Sequence, residues 1–251
     1  MFAFGAAVFV AAALALLWVR PPAEPPGDAA FVRAEGQTLV RNGSPFRFKA
    51  VNFSNHYTLD LGEYGFRLGS SKHHSERDFE RIRDLGFNSV RFAFNGNWYR
   101  DNPRAFWRWL DRNVGWAEEH GVLLVLDLHV PIGGYWLDPT NPEPDFRVWT
   151  DARIRAQNID LWREIAARYK DVPTIAGYDL LNEAVTVDAT GAQWRRLAND
   201  IASAIREVDK YHLLVVGALY GVNGKYTAFG EGSQFLIDDP IVLYDFHFYE
   251  P

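Results

Sequence analysis

The chain has 251 residues, 48% hydrophobic and 15% aromatic, enough to enclose one core of barrel size. A net charge of −6 with no Lys/Arg block argues against a nucleic-acid-binding surface. The absence of cysteine excludes disulfides and thiolate metal sites.

Residues 1–19 carry no charged or polar side chain, and Arg20 then opens a Pro-rich stretch. An apolar run of this length fits either the core of a long signal peptide or a short membrane anchor. Residues 1–20 are therefore read as one of these two, with membrane attachment through residues 1–19 in the second case. Residues 21–30 are read as a semi-rigid linker and 31–251 as the folded domain, exported in either case.

Residues 31–48 predict a β-hairpin with Asn42-Gly43 as a turn signal, placed as a cap on the bottom of the domain. Residues 48–54 form the first candidate core strand. From there the chain alternates. Ser75 caps a helix with Phe79, Ile82 and Leu85 on one face, and residues 88–94 are a strand. Asn102-Pro103 opens a helix carrying Trp107, Leu110, Val114 and Ala117, stopped by Gly121. Residues 122–128 are almost uniformly apolar, the pattern of a strand buried on both faces. Residues 151–170 are helical, 175–183 a strand, and Thr190 caps a helix striped by Trp194, Leu197, Ile201 and Ile205. Residues 212–217 and 241–247 complete six core strands. Such alternation predicts an α/β fold with a parallel sheet covered by helices. Residues 51–57 contain no glycine, so the phosphate loop of a doubly wound nucleotide-binding sheet is missing and a barrel is favoured.

Strand parity assigns each side chain to a face. Asp127 and His129 then oppose Leu124, Leu126 and Leu128, while Arg91 opposes Val90, Phe92 and Phe94. Asp179 shares a face with Glu183, and Asp245 with His247 and Tyr249. Four strands thus each send ionisable groups from one face near one end, and in a barrel these meet at its mouth. Taken singly, each has an ordinary structural explanation. Grouping them without a task would cost several kcal/mol per unpaired buried charge. Asp127, Asp179 and Asp245 lie deeper than the rest and are read as groups that orient neighbours. Tyr57, Trp98, Tyr135, Trp136, Tyr220 and Tyr226 fall in loops after strands, where flat rings suit stacking against sugars, although packing within the loop is the first expectation for any one of them.

The series Asn88-x-Val90-Arg91, Leu126-Asp127-Leu128-His129, Leu181-Asn182-Glu183 and His247-x-Tyr249 resembles glycoside hydrolase family 5, the cellulase and mannanase family of retaining barrels. The resemblance runs over residues 31–251 and implies a (β/α)8 TIM-barrel type of which six of eight strands are present. It implies that Glu183 is the general acid/base and that Asn182 binds a sugar hydroxyl. It also implies that Arg91 supports the nucleophile, while His129, His247, Tyr249 and Trp136 line the substrate site. An oligo- or polysaccharide substrate is expected, with no cofactor and no metal. Retaining hydrolysis requires a proton donor and an attacking carboxylate about 5–5.5 Å apart.

The family's nucleophile is a second Glu at the end of a seventh strand, and no Glu of this sequence matches it. Glu250 follows the sixth strand with parity opposite to His247 and Tyr249. The expectation is a truncated glycosidase, inactive by itself. The alternative is a non-catalytic carbohydrate-binding protein at the cell surface.

Overall fold

A computed structural model of the protein describes residues 27–55, 75–134, 144–227 and 233–248. Among these no helix is long and apolar enough to cross a membrane. The expected leader or anchor, residues 1–20, lies outside the described residues.

The described chain begins with a three-stranded antiparallel meander rather than the expected single hairpin: β1 (Arg33–Glu35), β2 (Thr38–Arg41) and β3 (Ser44–Phe46). Asn42-Gly43 makes the second turn, both residues at positive φ, as a tight two-residue hairpin requires. The first turn uses Gly36, also at positive φ, between paired Glu35 and Thr38. A glycine before a polar residue was the signal for that extra turn.

The body is a six-stranded parallel sheet in the order β11-β8-β7-β6-β5-β4. Its strands are β4 (Ala50–Phe53), β5 (Ser89–Asn95), β6 (Leu123–Val130), β7 (Ile175–Asp179), β8 (Leu213–Gly217) and β11 (Val242–Asp245). Each new strand adds beside the last in one direction. That is the winding of a barrel wall; a doubly wound sheet reverses partway. A small hairpin, β9 (Gly221–Val222) with β10 (Lys225–Tyr226), follows β8.

Helices cover the outer face. They are α1 (Glu76–Asp84), α2 (Gly96–Asp101), α3 (Pro103–His120), α4 (Arg147–Thr150), α5 (Ala152–Tyr169) and α6 (Ala192–Arg206). Their ends follow local chemistry. The Asp78 carboxylate accepts from the Ser75 N–H at 2.7 Å, closing the N-terminus of α1. Asn102 accepts from the Ala105 N–H before Pro103, and Gly121 ends α3 in the left-handed region. Asp151 caps α5. At α6 the expected Thr190 cap gives way to Gly191, because the Asp188 carboxylate takes the Gly191 and Gln193 N–H groups.

Two cores separate by strand parity. Val90, Phe92, Phe94, Leu124, Leu126, Tyr178 and Val216 pack outward against Phe106, Leu110, Trp162 and Trp194 of the helices. Leu123, Val125, Ala176, Leu213 and Val215 face inward and pack on Val32, Leu39 and Phe46 of the meander. These inward residues belong to the earlier halves of their strands, so the meander closes the N-terminal end of the sheet. The later halves carry the polar groups.

Candidate active site

On β6 and β11 the inward face changes from apolar to ionic within two residues, from Val125 to Asp127 and from Leu243 to Asp245. Arg91 on β5 lies at the centre. Its Nε donates to Asp179 Oδ2 at 2.8 Å, its Nη1 lies 2.9 Å from Asp127 Oδ2, and its Nη2 donates to Asn182 Oδ1 at 3.0 Å. Register explains the meeting. Asp127 of β6 stands directly opposite Asp179 of β7, with Ala93 opposite Asp127 on the other side. Asp245 of β11 is level with Gly217, whose absent side chain leaves room: a Cβ there would lie 3.2 Å from Asp245 Oδ1.

This layer holds three aspartates around one guanidinium. Burial disfavours the Arg91 charge, but Asp127 and Asp179 outweigh that and raise its pKa. Burial pushes the Asp179 carboxyl up to about 8; Arg91 counteracts this, and Asp127 and Asp245 add to it. Burial raises Asp245 as well, against the pull of His247 and Arg91. Burial among like charges thus pushes the Asp179 and Asp245 carboxyls in the same direction, toward the protonated form.

Glu183 sits above it. Parity over a long strand is not what brings it there, since β7 ends at Asp179. Leu180 and Leu181 both join the outer core, and Asn182-Glu183 form a turn in which Glu183 takes φ +40°. A non-glycine residue in the left-handed region is uncommon and costs on the order of 1 kcal/mol or more. Two indoles bracket the turn: Trp162 Nε1 donates to Leu180 O at 3.1 Å, and Trp149 Nε1 to Val185 O at 2.8 Å. The Asn182 N–H donates to Leu128 O at 3.1 Å, tying the turn to the end of β6.

His247 Nδ1 is 2.8 Å from Glu183 Oε1, and its Nε2 is 3.9 Å from Asp245 Oδ2. Burial opposes charge on this ring, but the bond to Glu183, reinforced by Asp245, prevails and raises its pKa. His129 Nδ1 is 2.7 Å from Asp127 Oδ2. Arg91, His129, Asn182, Glu183 and His247 are thus gathered on one side of the sheet, contributed by β5, β6 and the segments after β7 and β11. Trp136 and Tyr249, together with Tyr57, Tyr135 and Glu250, lie outside the described residues.

Two of the aromatics, Tyr220 and Trp98, take the packing role, and Trp98 does so from a helix where a loop was expected. Tyr220 is buried, and its hydroxyl accepts from the His247 N–H while its ring lies 5.4 Å from the imidazole. It supports His247 from behind and presents no face for stacking. Trp98 belongs to α2 and packs on Phe106 and Trp109. Tyr226 remains partly exposed, 6.1 Å from Tyr220. Trp162 falls inside the expected helix 151–170 and Trp149 just before it, and nothing in their spacing marks a bond to a backbone carbonyl around the Asn182-Glu183 turn. Among the described residues, Glu76, Glu119 and His120 group at the contact of α1 and α3. There Arg83 Nη1 lies 3.5 Å from His120 Nδ1, away from the strand ends.

The comparisons agree with this architecture. Endoglucanase C of Acetivibrio thermocellus is 31% identical over 190 residues, covering 70% of this chain and 50% of the relative. Mannan endo-1,4-β-mannosidase A of Podospora anserina is 26% identical over 276 residues, covering 98% of this chain and 69% of the relative. The structure of a β-glucanase from Saccharophagus degradans in complex with cellotetraose superposes with a TM-score of 0.65 at 25% identity. The match covers 93% of this chain and 67% of that one. The chain spans about half the length of the endoglucanase it matches. Residues 40–251 match the Cellulase family, glycosyl hydrolase family 5, and the chain belongs to that family.

Proposed function

We propose that this chain carries the acid/base half of a retaining glycosidase site acting on a β-linked polysaccharide or glycoside. The observation that supports this most strongly is that Glu183, bonded to His247, directly follows Asn182, which accepts from Arg91. Glu183 protonates the glycosidic oxygen as the C–O bond breaks, while a carboxylate attacks the anomeric carbon from the other side. Glu183 then takes a proton from the water that releases the sugar, and the carboxylate is regenerated. Asn182 and His129 hold sugar hydroxyls, and Trp136 and Tyr249 are assigned to substrate binding by the family resemblance alone. The endoglucanase and mannan endo-1,4-β-mannosidase relatives favour a β-linked glucan or mannan. No Glu among the 251 residues matches the family's nucleophile position, so we assign that residue to sequence outside this chain. Residues 1–20 act as an export signal or anchor, with the domain outside the cytoplasm.

The test uses Glu183→Gln in a protein extended to include the nucleophile. Hydrolysis of a cello- or manno-oligosaccharide should fall about 10²–10⁴-fold, the range of general acid catalysis. An aryl glycoside with a good leaving group, which needs little protonation, should lose much less in the glycosylation step. The 251-residue chain alone should turn over neither. Equal losses on both substrates would remove the acid role. Oligosaccharide binding without turnover in the extended protein would support the non-catalytic alternative. N-terminal sequencing of the exported protein tests the leader.

A further inference from the structure

After Val130 the chain leaves β6 through Pro131-Ile132-Gly133-Gly134, four buried residues outside any helix or strand. Buried backbone needs hydrogen-bond partners, and an irregular segment has no ladder to supply them. Two side-chain amides supply them here. Asn158 of α5, itself buried, accepts from the Ile132 N–H at 2.8 Å and donates to Ile132 O at 2.9 Å, as a neighbouring strand would. Asn97 of α2 accepts from the Gly133 N–H at 3.0 Å and donates to Pro131 O at 3.3 Å. Pro131 O also takes the Gly134 N–H at 3.2 Å, closing a turn in which Gly133 has φ +87°. The two glycines let this turn seat closely. A Cβ on Gly133 would meet Ile154 Cγ2 at 2.3 Å, and one on Gly134 would meet Asp145 Cβ at 2.1 Å. Pro131, Gly134 and Asp145 line the same cleft as Asn182 and Glu183.

We propose that Asn97 and Asn158 are positioning residues that hold the turn 131–134 as a preformed wall of the Glu183 cleft. A saccharide entering the cleft meets backbone that is already ordered, so its binding does not include the entropic cost of fixing the turn. The ligand rests on the glycosidase reading; the wall and its two supports do not.

Asn158→Leu keeps the bulk and removes both bonds to Ile132. Cellotetraose affinity, measured by calorimetry, should fall about tenfold or more in this variant, and about threefold in Asn97→Ala, a less buried position where water can replace the amide. Asn158→Asp separates hydrogen bonding from packing. A protonated carboxyl can accept from the Ile132 N–H and donate to Ile132 O, whereas a carboxylate only accepts. Relative to the unaltered protein at the same pH, its affinity should be near native at pH 5 and fall as the carboxyl ionises, which a purely space-filling role would not produce. Native affinity in a folded Asn158→Leu protein would overturn the proposal, as would a weakened affinity in Asn158→Asp that does not change with pH. If Asn158→Leu does not fold, native affinity in Asn97→Ala overturns it and the threefold loss supports it. Should the unaltered protein bind no oligosaccharide, the glycosidase reading loses its support. The wall is then judged by the backbone amide NMR shifts of Glu183 and Ala184 in Asn158→Asp at pH 8: displaced shifts uphold it, and shifts matching the unaltered protein overturn it.

Discussion

His247 Nδ1 stands 2.8 Å from Glu183 Oε1, joining the last strand of the sheet to the turn after β7. The pair closes the site across β8, and Tyr220 holds its histidine end through the His247 backbone N–H.

Because the folded-state pKa of His247 is raised, this ring holds its proton to higher pH in the native protein than in the unfolded chain. Its contribution to stability is full below the unfolded value of about 6.5 and is lost as pH rises through the folded value. Thermal melts of the native protein between pH 5.5 and 8.5 should therefore show a decline that His247→Gln makes shallower. Parallel curves for the two proteins would contradict the Glu183–His247 coupling.

Asp179 acts in the same direction from the acid side. Its carboxyl rises from 3.8 to about 8 on folding, so the native state binds a proton that the unfolded state has released. Stability attributable to it is greatest below pH 4 and falls as pH climbs toward 8. Asp179→Asn keeps an oxygen for Arg91 but cannot titrate. Urea unfolding at pH 5 and 8.5 should show a smaller loss in that variant than in the native protein.

Arg91 is bonded to Asp127, Asp179 and Asn182 at once. Arg91→Leu leaves buried carboxylates without it and should cost about 3–5 kcal/mol, measured by urea unfolding. Arg91→Lys should recover only part, since one ammonium cannot reproduce the fork that spans three acceptors.

Trp162→Phe keeps the ring in the outer core but withdraws the donor from Leu180 O. A loss of about 1–3 kcal/mol is expected for the unpaired buried carbonyl, and the Asn182-Glu183 turn should loosen with it. Faster amide hydrogen exchange at Asn182, whose N–H is held by Leu128 O, would report that loosening.

Gly177 lies inside the sheet, where an added Cβ would meet Leu213 O of β8 at 2.6 Å. Backbone cannot rotate away as a side chain can. Gly177→Ala should therefore destabilise by about 1–3 kcal/mol. It should also disturb the Arg91–Asp179 contact two residues on, seen as a change in the pH dependence of stability.

Strand parity was sufficient to bring Arg91, Asp127, His129, Asp179, Asp245 and His247 to one mouth, because a period of two survives wherever the ladder is regular. It also separated the outward residues Phe92, Leu126 and Tyr178 from the inward ones. Glu183 reached the right place in that reading for an incomplete reason. A bulge in the pairing of β6 with β7 and a left-handed residue after β7 set its direction, and neither has a period. Tyr220 looked like a loop aromatic because its sequence neighbours say nothing of His247, 27 residues further on. Gly36 turned the expected hairpin into a meander by adding a second tight turn where the spacing of apolar residues offered one.

The meander has a consequence for how the molecule can be held. Phe31 stacks on Tyr211 and meets His212 edge-on, just before β8 begins, so the chain enters the domain at the pole opposite Glu183. Whatever is joined ahead of residue 27, a tether, a tag or a solid support, is joined at the closed pole. The molecule thus has a handle at one end and an opening at the other, and attachment by the handle leaves the opening turned toward the solution.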